Sequence, residues 1–370
     1  MKSISTLLLS LILIAVTGCT SEKKETAKME LDNASGLEIA MLDGYTKVDV
    51  KDPWQPGKLL QSYILVHRDS TLPEELPQGT LVRVPLQNVL VYSDVHAHVM
   101  NELGCIDAVK SVCDAKYFKT AEIVNGVANG MIEDCGSTMA PSVEKIVSQA
   151  PEAVLLSPFQ NAGYGVLENI GVPIIELADY MEQTPLGRAE WFKFIGLLFG
   201  KQELSFEIYD HICKEYEALK SAVPQNVKKP RILLETVNSG VWYVPGGQSY
   251  RANMLIDAGA DYPWADNESS GSLPLDFPQV LNKAADADIW LINTWGTPLT
   301  NKSLLGIYSH NDQIKAYSES GVYYADTQNT SIIEGTAFHP ELLLKEYIKV
   351  LYPETFPDYT LQYYKPMVIE

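Results

Sequence analysis

Positive charge is scarce in this sequence. Its 370 residues include 28 Lys and Arg against 47 Asp and Glu, which gives a formal net charge of −19. A protein that binds nucleic acid needs a basic patch or stripe to neutralise phosphates, and adhesion to anionic lipid needs the same charge. We therefore predict no nucleic-acid partner and no electrostatic attachment to a membrane.

The sequence also lacks the short motifs that mark common enzymes. It has no Gly-x-Ser-x-Gly elbow, no His-Glu-x-x-His zinc helix and no glycine-rich phosphate loop. The segment Gly163-Tyr164-Gly165 has two glycines of a dinucleotide-binding loop but not the third. These absences predict a protein that is not an enzyme and that holds no cofactor.

Histidine is sparse, with 6 residues in the chain. His96 and His98 are two positions apart on a predicted helix, so they do not share a face. Capture of a bare transition metal needs about three clustered ligands. We predict no metal site, and leave open His96 as an axial ligand to haem iron.

Long hydrophobic runs are absent, and the longest lies at the N-terminus. Residues 7–16 are apolar apart from one serine, which is too short for a bilayer of about 30 Å and is typical of a signal peptide. The run ends in Val16-Thr17-Gly18-Cys19, which resembles a bacterial lipobox. We expect a signal peptide at 1–18, a lipidated tether at 19–36 that begins with Cys19, and a cell-envelope protein facing the periplasm or exterior.

Cysteine is also rare. Four cysteines follow Cys19, namely Cys105, Cys113, Cys135 and Cys213, and their spacing matches no zinc or redox motif. An exported protein can form disulfides. Cys113 and Cys135 flank one loop and are a candidate pair, but the sequence does not fix the pairing.

The remaining pattern is an alternation of strands and helices. After an N-terminal strand extension at 37–84, which suggests a hairpin, apolar strands alternate with helices at 85–183 and again at 227–370. Helical periodicity fills 184–226. Such alternation predicts an α/β fold with two Rossmann-like lobes, each with a parallel sheet, joined by a single long helix. A stiff connection should limit lobe motion, and a ligand cleft is expected between the lobes at the strand ends.

Several segments resemble a known family. Residues 141–146 (Pro-Ser-Val-Glu-Lys-Ile) and 149–156 (Gln-Ala-Pro-Glu-Ala-Val-Leu-Leu) are similar to its capped helix and following strand, and 284–291 and 335–354 are similar to segments of its second lobe. The sequence thereby resembles class III solute-binding proteins of bacterial ABC importers, which carry ferric siderophores, haem and cobalamin. The resemblance covers about residues 80–355.

The resemblance implies a function and partners. It implies a monomeric lipoprotein, attached to the membrane by its lipid only, that captures a metal chelate and delivers it to an ABC permease with its ATPase. The family docks through one acidic residue on each lobe. Glu144 occupies the first position, whereas the second falls at Pro278, so we expect Asp276 to substitute.

Ligands of this family are large, partly aromatic chelates, so aromatic and cationic groups in the predicted strand-end loops are candidate contacts. The candidate ligand-binding residues are Tyr117, Phe159, Tyr164, Trp242, Tyr250, Arg251 and Trp295. Arg251 begins a predicted helix, where a cation is unfavourable for the helix dipole unless an anionic ligand offsets it. Lys116 is a weaker candidate for the same role.

The identity of the ligand stays open at this point. We expect a ferric siderophore, with haem or a corrinoid as the alternatives within the family. A secreted enzyme or a cofactor-assembly protein on the same scaffold is the alternative from another class.

Overall fold

The computed structural model of the chain describes residues 27–161 and 163–370. The predicted signal peptide, the lipidation site Cys19 and the first part of the predicted tether lie outside the described residues. No helix in the described ranges is long and apolar enough to cross a membrane.

The N-terminal region forms a five-stranded sheet rather than a hairpin. Its strands pair in the order of the sequence, antiparallel from β1 to β4, and β5 then runs parallel to β4. The strands are β1 (Ala27–Met29), β2 (Leu37–Leu42), β3 (Tyr45–Lys51), β4 (Leu59–His67) and β5 (Thr80–Val84). Side chains of β3 and β4, including Val48, Val50 and Tyr63, are fully buried, so the sheet packs on the rest of the protein.

Residues 27–36 belong to this folded region, which corrects the predicted tether at 19–36. The backbone amides of Asn33 and Ala34 donate to Oε2 of Glu190 at 2.8 and 2.7 Å. Those of Ser35 and Gly36 donate to the Glu182 carboxylate at 3.0 and 2.8 Å. Bonds from backbone amides to distant carboxylates leave no periodic pattern in a sequence, which is why the polar composition alone suggested a tether.

The first lobe is built on a five-stranded parallel sheet. The strand order is β12-β11-β6-β7-β8, and every residue of β6 and β11 is buried, as expected for a sheet covered on both faces. The elements are β6 (Val89–Val91), α1 (Asp94–Glu102), β7 (Val109–Val112), α2 (Ala121–Ala128), β8 (Glu133–Asp134), β9 (Gly136–Ser137), β10 (Ala140–Pro141), α3 (Val143–Gln149), β11 (Ala153–Leu156) and β12 (Ile174–Glu176). Strands β9 and β10 form a small antiparallel pair.

Three consecutive helices connect the lobes. They are α4 (Pro185–Glu190), α5 (Phe192–Leu198) and the longest helix, α6 (Gln202–Ser221). Trp191 separates α4 from α5, and residues 199–201 separate α5 from α6, so three helices stand where the sequence predicted a single long one. Every residue of α5 is buried, and α6 packs on α5 and on the last helix of the second lobe.

The second lobe contains two sheets. One has the order β13-β17-β18-β19, with three parallel strands and an antiparallel β19, and the other is the antiparallel sheet β14-β15-β16. The elements are β13 (Ile232–Leu234), β14 (Val237–Asn238), β15 (Val241–Pro245), α7 (Tyr250–Asp257), β16 (Ser272–Leu275), α8 (Phe277–Ala284), β17 (Ile289–Thr294), α9 (Asn301–Ile307), α10 (Lys315–Ser318), β18 (Val322–Asp326), α11 (Ile332–Thr336), α12 (Pro340–Leu351) and β19 (Tyr364–Pro366). The predicted α/β class with two lobes is confirmed. In such folds, ligands bind at the loops that follow the carboxyl ends of the parallel strands.

Candidate ligand-binding cleft

An aromatic pair spans the two lobes at their strand ends. Tyr117 follows β7 of the first lobe, and Trp295 follows β17 of the second. Their ring centroids are 6.3 Å apart with an edge-to-face angle of 72°. Tyr117 is 54% exposed and Trp295 is 55% exposed, so both retain open surface after meeting each other. Two half-exposed rings from separate lobes form a surface on which a flat or apolar ligand can pack.

A large cavity opens at the strand ends of the first lobe. Its volume is about 760 Å³. It is lined by Tyr92, Ser93, Thr138, Met139, Ala140, Pro141, Leu156, Ser157, Phe159, Gly163, Tyr164, Gly165, Val166 and Leu167. Phe159 is 66% exposed and Met139 is 89% exposed. The lining is mostly apolar with a few hydroxyl groups, the usual character of a small-molecule site.

Tyr164 is held in a fixed orientation at this cavity. Its hydroxyl donates a hydrogen bond to Oε1 of Glu176, the last residue of β12. Burial raises the pKa of Glu176 above its ordinary value. Burial and the adjacent Glu176 carboxylate likewise raise the pKa of the Tyr164 phenol. The phenol therefore stays protonated and presents its ring, not a charge, to the cavity.

Tyr250 belongs to a buried polar network that crosses from the first lobe to the second. Its hydroxyl accepts from Nη1 of Arg188 at 2.8 Å, and Arg188 Nε donates to Asp179 Oδ2 at 3.0 Å. His96 Nε2 lies 3.0 Å from the other Asp179 oxygen. Burial alone would raise the pKa of Asp179, but the Arg188 and His96 contacts hold it below its ordinary value. His96 is 1% exposed, so it has no surface for haem iron.

Arg251 is already paired within the protein. Its Nη1 donates to Glu235 Oε1 at 2.7 Å, and Asn293 Nδ2 donates to the same oxygen at 2.9 Å. Beside it lies a small cavity of about 130 Å³. The Glu235 carboxylate supplies the anion that the cation at the start of α7 requires. An anionic ligand is thus not needed to offset the charge of Arg251. This corrects the argument by which the sequence predicted Arg251 as a ligand-binding residue.

Trp242 lies in the core of the second lobe and is corrected as a ligand contact. The residue is 0% exposed, its ring stacks on Trp290 at 5.6 Å, and its Nε1 donates to the Leu234 carbonyl at 2.8 Å. Its place on β15 of the antiparallel sheet was not evident from the sequence, which suggested a loop.

Lys119 forms a contact between the lobes that the sequence analysis missed. Its Nζ donates to the carbonyls of Thr327 and Thr330 at 2.6 and 2.8 Å and to Glu334 Oε2 at 3.0 Å. Asp94 fixes the first-lobe side by accepting from the Lys119 backbone amide at 2.7 Å. A cavity of about 530 Å³ lies beside this contact. A lone lysine in a polar loop gives no sequence signal of such a role.

His339 forms a second polar bridge between the lobes. Its Nε2 lies 2.7 Å from Glu102 Oε2 at the end of α1, and its Nδ1 lies 2.8 Å from Glu341 Oε1 in α12. Burial would lower the pKa of His339, but the two carboxylates raise it to about 9. The imidazolium is therefore the form that joins the lobes at neutral pH.

Glu144 and Asp276 both lie near the N-terminus of a helix that leads into a parallel strand. Such a helix runs back along the sheet, so it begins on the side where the strands end. Glu144 is exposed in the first turn of α3. Asp276 is exposed and caps α8, where its Oδ1 accepts from the Gln279 amide at 2.8 Å.

The cysteines after Cys19 are present as free thiols. Cys113 and Cys135 directly follow the paired residues of β7 and β8 and are both 0% exposed. Burial raises the pKa of Cys113 to about 12 and that of Cys135 to about 11. Within residues 27–161 and 163–370, no three His, Cys, Asp or Glu side chains are grouped closely enough to hold a metal ion. Buried, protonated thiols disfavour the cluster-assembly alternative.

Two α/β lobes, connected by helices and meeting at an aromatic cleft, define the class of two-lobed solute-binding proteins. The chain belongs to the periplasmic binding protein family, whose sequence profile matches residues 103–328. This family consists of solute-binding proteins.

Solved structures and a curated relative extend the comparison. A possible iron-binding, periplasmic solute-binding protein from Staphylococcus epidermidis superimposes with a TM-score of 0.59 at 16% identity, over 72% of this chain and 99% of that one. The periplasmic haem-binding protein of Vibrio cholerae gives 0.56 at 14% identity, over 72% and 100%. An uncharacterised lipoprotein of Methanocaldococcus jannaschii is 26% identical over 63% of this chain, and the chain spans 59% of that relative's length.

Proposed function

We propose that this protein captures a metal chelate, with a ferric siderophore as the first candidate, and delivers it to an ABC permease and its ATPase. The observation that carries the proposal is the Tyr117–Trp295 pair, two half-exposed rings contributed by separate lobes at their strand ends. A ligand that packs on both rings bridges the lobes, so its binding is coupled to their relative position.

The cavity beside Phe159 and Tyr164 supports a ligand of this size. Its volume of about 760 Å³ falls within the range of about 300–1,000 Å³ that is usual for small-molecule sites. Lys116 gives the cleft an exposed cation, since its side chain is 68% exposed, its Nζ lies 4.7 Å from the Tyr117 ring centroid, and its ion pair with Asp114 is long, at 3.9 Å. An aromatic surface with one accessible cation suits a chelate that combines rings with anionic donor groups.

The similarity to iron-binding and haem-binding proteins also supports this class of ligand. Haem and a corrinoid remain the alternatives. Haem would need an axial ligand other than His96, because His96 is buried against Asp179.

The binding proposal is tested by titrating purified protein with ferric tricatecholate, ferric trihydroxamate, haemin and cyanocobalamin while tryptophan fluorescence is recorded. Trp295→Ala should weaken the chelate that binds by about tenfold or more, since a contacting aromatic side chain contributes roughly 1.5–3 kcal/mol. Tyr243→Ala is the matched control, because Tyr243 is 49% exposed on β15 but, unlike Trp295, makes no ring contact with the first lobe among the described residues. Absence of binding by all four probes at about 10 μM would contradict the ligand class.

We propose further that Glu144 and Asp276 dock the two lobes onto basic residues of the permease, with the protein held at the membrane by a lipid on Cys19. Both carboxylates are exposed near the N-termini of helices that begin on the cleft side of their sheets. Complementary charges at the rim of a protein–protein interface mainly affect how fast and how specifically the two proteins associate. Changing them here should therefore affect docking and leave chelate binding intact.

Glu144→Arg should therefore abolish uptake in cells while chelate binding by the purified protein is unchanged. Asp276→Asn removes the charge at the second lobe and keeps a side chain that caps α8, so a loss of uptake there reports docking and not an unfolded helix. Full uptake by a variant that carries both Glu144→Arg and Asp276→Asn would show that neither residue belongs to the docking surface.

A further inference from the structure

The N-terminal sheet lies outside the residues that match the family profile, which begin at 103. It nevertheless reaches the ligand site. The loop between β3 and β4 contains Asp52, Trp54 and Gln55, and these residues line a second cavity of about 170 Å³ together with Leu60. The opposite wall of that cavity is formed by first-lobe residues, among them Phe159, Tyr164 and Glu176.

This second cavity adjoins the large one. Phe159 and Tyr164 line both, so the two cavities meet at these two residues. Tyr164 and its partner Glu176 also line a third, more open cavity of about 420 Å³ beside β12. Tyr164 is thus a lining residue that all three cavities share.

The sheet is fixed where it meets the first lobe. The Tyr63 hydroxyl of β4 donates to the Ile174 carbonyl at 3.0 Å and accepts from the Glu176 amide at 2.8 Å. These two bonds extend the edge of β12, and the Tyr63 ring lies 5.7 Å from that of Phe194 in α5. Tyr63 is 0% exposed. The N-terminal sheet is therefore attached to the first lobe through a buried side chain.

The loop that carries Trp54 is ordered by its own hydrogen bonds. Asp52 Oδ1 accepts from the amides of Trp54 and Gln55 at 2.8 and 3.0 Å, and Asp52 Oδ2 accepts from Gln55 Nε2 at 2.9 Å. An aspartate that binds the amides two and three residues ahead fixes a turn. Trp54 is half-buried in this turn, so part of its side chain remains open to a ligand.

We propose that Trp54 is a specificity-determining residue, and that it packs with Phe159 on a planar aromatic arm of the chelate that extends from the large cavity. This inference rests on the proposed function and deepens it, because it selects chelates with aryl arms over purely aliphatic ones.

The test compares affinities of wild type, Trp54→Ala and Trp54→Phe for ferric tricatecholate and haemin, which carry aromatic rings, and for an aliphatic ferric trihydroxamate. Trp54→Ala should weaken every ring-bearing probe that the wild type binds by about tenfold. It should change the aliphatic probe by less than about twofold, and Trp54→Phe should restore most of the lost affinity. Trp295→Ala, measured in parallel, reports the cleft between the lobes.

The outcomes separate this inference from the function on which it rests. If Trp295→Ala weakens binding and Trp54→Ala does not, or if Trp54→Ala weakens all probes equally, the function stands and the role of Trp54 is refuted. Binding of the aliphatic probe alone refutes it as well. If no probe binds the wild type, the proposed ligand class fails first.

Hydrogen exchange of residues 52–57 tests the same contact without any variant. Saturation with a ring-bearing probe should slow the exchange, and unchanged exchange would also refute the contact.

Discussion

Replacing Lys119 with methionine should loosen the contact between the lobes at a stability cost that the structure allows us to work out. The ammonium uses all three of its donors, on the carbonyls of Thr327 and Thr330 and on the Glu334 carboxylate. Methionine keeps most of the aliphatic stem, so the change removes the charge and the hydrogen bonds but little packing.

The magnitude follows from what remains after the change. Glu334 is 5% exposed, and its Oε1 is buried without a hydrogen-bond partner among the described residues, so the variant would leave a carboxylate with no counter-ion. Breaking a buried ion pair costs about 3–5 kcal/mol. The Lys119 side chain is 26% exposed and water can reach the gap, so we expect a loss of about 2–3 kcal/mol.

Urea unfolding followed by tryptophan fluorescence measures this loss. The double variant Lys119→Met with Glu334→Gln should regain about 1 kcal/mol, since the uncompensated charge is gone. Lys110→Met is the matched control, because Lys110 is exposed on β7 and a substitution there should stay within about 0.5 kcal/mol. A Lys119→Met variant as stable as the Lys110→Met control would refute the reasoning.

Two further predictions concern titrating groups. The pKa of His339 is raised from 6.5 to about 9 on folding, so its stabilising contribution is complete below about pH 6.5 and is lost as the pH rises through 9. The melting temperature should decline over that range in the wild type, and a decline of equal size in His339→Gln would contradict the assignment. In the folded, reduced protein, Cys113 and Cys135 should resist alkylation at neutral pH, because both are buried and their pKa values are raised to about 12 and 11. Mass spectrometry measures the label, and rapid modification would show that the thiols are accessible.

Local patterns predicted much of the two-lobe framework. The apolar run at Ala153–Leu156, part of the family-like segment 149–156, is a buried parallel strand, and the helix Phe277–Ala284 begins with a capping box formed by Asp276 and Gln279. Both depend on the periodicity of neighbouring residues and on capping, which operate within a few positions of the chain. The aromatic residues Tyr117 and Trp295 could be selected as strand-end residues for the same reason, because Trp295 directly follows β17 and Tyr117 lies in the segment after β7.

Contacts between distant residues could not be predicted in this way. Arg251 looked like a free cation at a helix start, but Glu235, which lies 16 positions earlier, neutralises it. Trp242 looked like a loop residue, but the pairing of β15 with its neighbours places it in the core. In both cases the deciding partner is set by how strands and helices pack, and no short pattern in the sequence encodes that choice.

The sequence by itself determined the fold class, the order of the lobes and the resemblance that leads to the family, because hydrophobic periodicity and short motifs are local properties. Only the tertiary structure decided which side chains meet in the cleft. It brought Tyr117 to Trp295 across the lobes, and it made residues from position 27 onward part of a sheet whose Trp54 lines a cavity with first-lobe residues. Proximity across long stretches of chain arises from packing of the whole molecule, and that packing is what places aromatic side chains of separate lobes beside each other.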